Sequence, residues 1–312
     1  MKRYVLKRIL MAFLVLIGVS ILSFLLIALS GKDPAQFIAA KSGMSADTAY
    51  VEQLREQMGL NLPLYVRYFN WLKGLFTGEL GTSVVTFHPI SADIIKYAPV
   101  SLKLTLLSLL FVIIMFFPAS IISVRFHNRL PDHIIRILTI AGICLPTFWL
   151  GFMLLLGFAV NMPIFTVLPK PGIKGYILPA ITLALPNACG VVRIFRASLL
   201  KEYNSDYAAY AKARGLGTTR ILMTHALRNS LPPVITMSAQ YLGYMLAGSA
   251  VVESVFSLDG LGNYLVGAVT ACDSTTVATC VILIAAVFVF CNLTADIVNR
   301  LLCPWMVRES ND

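Results

Sequence analysis

Apolar and polar positions occur along this chain in blocks. An apolar run from Ile9 to Leu29 is followed by a long polar stretch, and apolar runs then recur near Val100 to Val124, Ile134 to Val160, Ile177 to Leu199, Val234 to Val255 and Thr276 to Leu302. A helix rises about 1.5 Å per residue and the bilayer hydrocarbon is about 30 Å thick, so runs of this length suit spanning helices. The pattern predicts an all-α integral membrane protein with six transmembrane helices, one membrane domain over residues 1–312. Residues 30–99 form a long external loop after the first span, and residues 200–232 form a cytoplasmic loop.

The charges between the runs set the orientation. Lys2, Arg3, Lys7 and Arg8 precede the first run, which is too long for a signal-peptide core and has no convincing cleavage site, so an uncleaved first span with a cytoplasmic N-terminus is expected. Arg125, Arg129 and Arg136 mark a second cytoplasmic loop, and seven basic residues from Arg193 to Arg228 mark a third. Val255 to Thr275 carries Asp259 and Asp273 but no Lys or Arg, and Asn161 to Tyr176 has only Lys170 and Lys174, so both are external. In the 30–99 loop six basic residues balance six acidic ones. Six spans place both termini in the cytoplasm. Within the long loop, Val51, Leu54 and Met58 share one helical face and Tyr65, Phe69, Leu72 and Phe76 another, with Gly59 and Pro63 between, which predicts two short helices packed on the membrane domain.

Composition agrees. With 58% hydrophobic residues, 13% charged residues and a mean hydropathy of +0.79, the chain is too apolar for an ordinary soluble domain. Its formal net charge of +10 falls between the spans, so it speaks for topology in contact with membrane lipids and not for nucleic acid. All six cysteines but Cys272 lie in or beside apolar runs without Cys-x-x-Cys spacing, which suits small buried hydrophobes. Pro118, Pro146, Pro179 and Pro186 fall within or at the ends of spans, where each deletes a backbone donor and can bend a helix. Arg193 and Arg196 fall at the cytoplasmic interface, where snorkelling accounts for them.

The basic insert from Ser205 to Pro233 reads as two short helices joined at a glycine turn. Ser205 can cap the first, Gly215 and Gly217 end it, and the second can start at Thr218 or Thr219 and should stop by Pro232. Small residues on a helix let another surface approach closely, although a solvated loop that only sets topology would carry the same charges.

The order Asp206-Tyr207, Ala211-Lys212-Ala213-Arg214-Gly215-Leu216, His225-Ala226-Leu227-Arg228-Asn229 and Leu231-Pro232-Pro233-Val234 resembles the signature loop of binding-protein-dependent ABC importer permeases of the peptide/nickel branch. Span four, with Ile177-Leu178-Pro179-Ala180 and Leu185-Pro186-Asn187, is similar to the family pattern leading into that loop, as are Gly31-Lys32-Asp33-Pro34, Gly59 to Leu64 and Gly78 to Ser83 in the external segment. Asn292-Leu293 and Asp296 fit it as well. The chain departs from the family at Leu258-Asp259, where a tryptophan and proline are usual, and at Cys303-Pro304-Trp305, where Asp-Pro-Arg is usual.

The resemblance implies a coupling helix made by Asp206, Tyr207, Ala208, Ala209, Ala211, Lys212, Ala213, Arg214, Gly215 and Leu216 that sits in a groove of an ATP-binding subunit. It implies a second permease subunit, two ATP-binding subunits and an extracytoplasmic substrate-binding protein, in a bacterial inner membrane. ATP and Mg would bind the partner subunits and no cofactor this chain. In span five, Gly243, Gly248 and Ser249 are small residues suited to packing or to space beside a pore, and Glu253 is a carboxylate at a costly depth, so these four are the candidates for outer gate or pathway.

The chain has no Gly-x-x-x-x-Gly-Lys-Ser/Thr loop, no His-Glu-x-x-His, no hydrolytic triad and no metal-ligand cluster, so no enzyme activity is expected of it. The alternative is a secondary transporter driven by an ion gradient. Such proteins place ionisable groups at mid-membrane, where this chain has almost none. The implied substrates are short peptides, or nickel or another divalent metal, free or chelated. The run Val289-Phe290-Cys291-Asn292-Leu293 resembles nickel permeases and tips the expectation toward metal.

Overall fold

The computed structural model describes residues 2–29, 33–42, 48–168 and 172–302, and these are helical and loop, with no strand among them. Gly31, Lys32, Lys170 and the Cys303-Pro304-Trp305 departure lie outside the described residues. The helices are α1 (Lys2–Leu29), α2 (Pro34–Lys41), α3 (Thr48–Gln57), α4 (Leu64–Thr77), α5 (Ile90–Arg125), α6 (Leu130–Cys144), α7 (Thr147–Leu155), α8 (Lys174–Tyr203), α9 (Asp206–Ala213), α10 (Thr218–Ile221), α11 (Leu227–Val255), α12 (Leu261–Thr270) and α13 (Ser274–Leu302). Two π-helical turns, Leu156–Asn161 and Leu222–Ala226, extend α7 and α10.

Among the described residues α5, α8 and α13 are long and apolar enough to cross a membrane, and α6 with α7 makes a fourth if the bent pair is one span. Span three is therefore not the continuous helix that the run from Ile134 to Val160 suggests. Leu145, which precedes Pro146, is pushed out of the helical region to φ −73°, ψ 125°, and the chain turns by 102° there. α1 has an apolar stretch from Leu10 to Leu26. Leu10, Phe13, Leu14, Leu22 and Leu26 on α1, and Leu102, Leu106, Leu110 and Ile114 on α5, are exposed. Such a surface suits hydrocarbon and not water.

The chain forms two compact units, Met1–Ser101 with Asp259–Val287 and Leu102–Leu258 with Phe288–Asp312. In the first, Phe24 of α1, Trp71 of α4 and Ala278 of α13 share a core with Tyr68 against it. The Phe24 and Tyr68 rings meet edge-on at 5.6 Å, and the Trp71 indole donates to Thr279 Oγ1 at 2.9 Å. Asp33 caps α2 by accepting from the Ala35 N–H at 2.9 Å, and Pro34 occupies the first turn, where its missing donor costs nothing. Val51, Leu54 and Met58 pack inward as the periodicity predicts. Of the α4 face, Leu72 packs against the Phe24/Trp71/Ala278 core, but Tyr65, Phe69 and Phe76 are exposed, and the helix buries Trp71 and Gly74 instead. Trp71 turns inward because its large ring carries a donor that finds the buried Thr279 hydroxyl, and Tyr68 beside it meets the buried Ser20 hydroxyl of α1 at 2.9 Å.

In the second unit α8 is central, packed on α6, α7 and α11 and burying Leu178, Leu183, Val191, Phe195 and Leu199. Pro179 and Pro186 lie inside it without ending it. Pro232 and Pro233 likewise lie inside α11, so no stop occurs at Pro232. Each proline removes one helical bond, and packing along α8, with Pro232 buried, outweighs that loss. The cysteines divide: Cys272 and Cys280 are buried, Cys189 and Cys291 half-buried and Cys144 exposed, all as free thiols. Cys144 is exposed because α6 ends there before the bend, and Cys272 is buried where α12 turns into α13.

Candidate functional site

The basic insert is a small helical unit at the end of α8. Ser205 adopts the extended cap conformation before α9, but its hydroxyl donates to the Glu202 carbonyl at 2.6 Å and not into the first turn of α9. Asp206 supplies the negative charge that suits the N-terminus of α9, and Lys212 the positive charge at its other end. Ala208 and Ala211 point inward and pack with Ile221, with Tyr203 and Leu216 at the edge. The small residues of α9 thus serve two faces. Ala208 and Ala211 hold the unit together, whereas Ala209 and Ala213 lie exposed with Asp206, Tyr207, Tyr210, Lys212 and Arg214.

α9 ends in a Schellman motif. The Leu216 N–H bonds the Ala211 carbonyl at 3.2 Å and the Gly215 N–H bonds the Lys212 carbonyl at 2.9 Å, while Gly215 takes φ +81°. That left-handed conformation is the reason a glycine stands at 215. Leu216 then folds back onto the Ala208/Ala211 core, and Gly217 leads into α10 at Thr218. Two further contacts fix α9 on the tail of α8, and a third ties α10 to it. The Tyr207 hydroxyl donates to Glu202 Oε2 at 2.6 Å, Lys212 Nζ lies 3.6 Å from the centre of the Tyr203 ring, and Tyr203 and Thr218 share a hydroxyl contact at 3.2 Å. Burial, then the Glu202 carboxylate accepting its proton, raises the Tyr207 pKa.

Further back on α8, Arg196 belongs to a buried ionic cluster that the sequence pattern did not reveal. Arg196 Nη2 and Nε donate to the two oxygens of Asp132 at 2.7 and 2.8 Å, a bidentate pair. Asp132 is wholly buried and also accepts from the Ser123 hydroxyl and, at 3.0 Å, from the Asn128 N–H. Arg196 Nε reaches Ser123 Oγ at 2.8 Å as well, and Nη2 meets His127 Nδ1 at 3.2 Å. The cluster ties α5, α6 and α8 at one end. Arg196 is therefore not a snorkelling residue, although exposed Arg193 fits that description. The signal in the sequence was Asp132, an acidic residue in a stretch otherwise marked by Arg125, Arg129 and Arg136.

The four span-five candidates separate. Gly243 is buried against Phe288, and a Cβ there would stand 1.9 Å from the ring. It is a packing glycine between α11 and α13. Gly248 is exposed with open space beside it. Ser249 is buried and donates to Glu253 Oε1 at 2.7 Å, so the buried Glu253 carboxylate has a hydroxyl partner. Among the described residues no group of three or more His, Cys, Asp or Glu side chains could hold a metal ion.

Residues 116–308 match the family described as the binding-protein-dependent transport system inner membrane component, and residues 1–105 match the N-terminal family of the same membrane components. The glutathione transport system permease protein GsiC of Escherichia coli strain K12 is 34% identical over 304 residues, covering 97% of this chain and 98% of that protein. The proteins of the same name from Shigella flexneri serotype 5b and Salmonella choleraesuis are similar to the same extent and over the same shares.

Proposed function

The chain belongs to the family of binding-protein-dependent transport system inner membrane components, and on that premise we propose that it passes a short peptide through an ATP-driven importer by way of a coupling helix at α9. It is a permease subunit of an ABC importer, a multi-pass inner-membrane protein and not itself an enzyme. Family membership decides against the ion-gradient-driven alternative.

In the proposed arrangement six spans leave both termini in the cytoplasm, a second permease subunit completes the pathway, and two ATP-binding subunits carry ATP and Mg. The geometry of α9 supports the coupling assignment, and it is the observation that carries this reading. Its inner face is used up within the loop, its end is fixed by the Gly215 turn, and what remains outward is a short surface of Asp206, Ala209, Tyr210, Ala213 and Arg214. Exposed alanines at one-turn spacing, flanked by a tyrosine and charges, suit insertion into a groove on another subunit. ATP-driven closure of the two ATP-binding subunits would draw such helices together, and α8, continuous from Lys174 to Tyr203 just before α9, would carry the displacement into the membrane.

For the substrate, the relatives' names support the peptide side, since glutathione is a peptide. The expectation of nickel or another divalent metal rests only on the short Val289 to Leu293 run. The test is uptake of labelled short peptides and of nickel in matched strains with and without this chain, partner genes intact. Loss of peptide uptake that also follows ATP depletion at constant ion gradient is the expected result. Loss of nickel uptake alone refutes the peptide assignment, and uptake that follows the ion gradient refutes the whole reading.

A further inference from the structure

The first unit holds a cleft of about 450 Å³ lined in part by Phe24, Arg67, Asn70, Trp71, Glu79 and Ser274. A second, of about 270 Å³, shares Phe24, Arg67 and Ser274 with it. Arg67 therefore stands in the wall of both. It is half-buried, and burial pulls its pKa below the ordinary guanidinium value, with the Asp33 carboxylate opposing that effect.

A guanidinium partly withdrawn from water is stabilised by a carboxylate partner. Among the described residues none lies within ion-pair distance of Arg67; its Nη2 donates to the neutral Ser274 hydroxyl at 3.1 Å. The nearby carboxylates are engaged elsewhere. Asp33 pairs with Arg55 at 2.5 Å, and Asp273 accepts from the Val84 N–H at 2.7 Å and from the Thr276 N–H and hydroxyl at the start of α13. Glu79 lines the larger cleft from an exposed position.

We propose that Arg67, with Ser274 and Asn70 beside it, is a binding subsite for the carboxylate of a small solute, held in a cleft walled by Phe24 and Trp71. The guanidinium fork matches a carboxylate in two parallel hydrogen bonds, and the cleft has the volume of a small-molecule site. Glu79 faces the same space and suits an ammonium group on that solute. The proposal rests on the peptide reading above, because a free peptide carries both charges.

The test uses the purified complex of both permease chains and the ATP-binding subunits in nanodiscs, without the binding protein, titrated calorimetrically with trialanine and with trialanine amide. Wild type should bind the free acid at least about tenfold more tightly than the amide, the size expected for hydrogen bonds to a charged group. Arg67→Ala should abolish that preference, and Arg67→Lys should keep part of it. The wild-type comparison needs no variant, so a folding defect in Arg67→Ala leaves the proposal open to refutation. Equal affinity for acid and amide, absence of binding by both, or a preference that survives Arg67→Ala overturns it. So does a substitution that weakens only capture of the binding protein, which makes Arg67 a docking residue. Labelled-peptide uptake that is unchanged in cells without this chain sinks the peptide reading yet leaves the acid-over-amide preference to be read on the purified complex, so the two failures are distinguishable.

Discussion

Removing the carboxylate of Asp132 tests whether the ionic cluster holds the second unit together. Asp132→Asn keeps the shape of the side chain and deletes the charge that faces Arg196. Asp132 is wholly buried and the Arg196 side chain retains 17% exposure, so the arginine can recruit some water when its partner is lost. Breaking a fully buried pair costs about 3–5 kcal/mol, and the residual access places this one at the lower end, about 3 kcal/mol. For a domain of this size that is an apparent thermal midpoint lower by about 6–10 °C. The assay is scan-rate-matched thermal unfolding of the purified complex in nanodiscs, because irreversible unfolding makes the midpoint depend on the rate of heating. Arg196→Met should lose at least as much, since it strands a buried carboxylate. The double variant Asp132→Leu/Arg196→Met should recover most of the loss, since well-packed apolar groups can replace a buried pair. Arg193→Met, at an exposed position, should change the midpoint by less than about 2 °C. Equal shifts for Arg193→Met and Arg196→Met would refute the reasoning, as would a double variant no better than either single one.

At Gly215 the space for a Cβ is open but the backbone sits at φ +81°, so Gly215→Ala should cost about 1–2 kcal/mol through the backbone alone; membrane insertion should persist while pull-down of the ATP-binding subunit falls, and Gly215→Asn should be milder. Gly243→Ala should destabilise the complex by about 1–3 kcal/mol against the Phe288 ring, whereas Gly248→Ala, with nothing near it, should be neutral or slightly stabilising; both are read as thermal midpoints. Trp71→Phe removes the indole bond to Thr279 and should cost about 1–2 kcal/mol, visible as faster proteolysis of the α4 segment.

How much of this was legible in the chain varies by element. The helices under the apolar runs, the short helix bearing Val51 and Leu54, and the turn at Gly215 could be read because each depends on neighbours within a turn or two: apolar spacing, a proline, a glycine where φ must be positive. The face of α4 could not, because Trp71 is drawn inward by Thr279, 208 residues away in sequence. The fate of proline was not legible either. Pro146 bends the chain by 102°, with Leu145 before it extended, while Pro186 and Pro232 pass through continuous helices, so the residue type alone does not set the outcome.

Sequence alone determined that the chain is helical and suited to a membrane, that its positive charge is grouped between apolar runs, and that a small-residue helix closed by glycine follows the run from Ile177 to Leu199. Those follow from side-chain hydrophobicity and local backbone preference, which a chain carries before it folds. Only the tertiary structure decided that Ala208 and Ala211 face inward while Ala209 and Ala213 face out, that Arg196 is clamped by Asp132 while Arg193 is not, and that no described carboxylate comes within ion-pair distance of Arg67. Each depends on which distant groups arrive within a few ångströms, and that is fixed by packing and not by local preference.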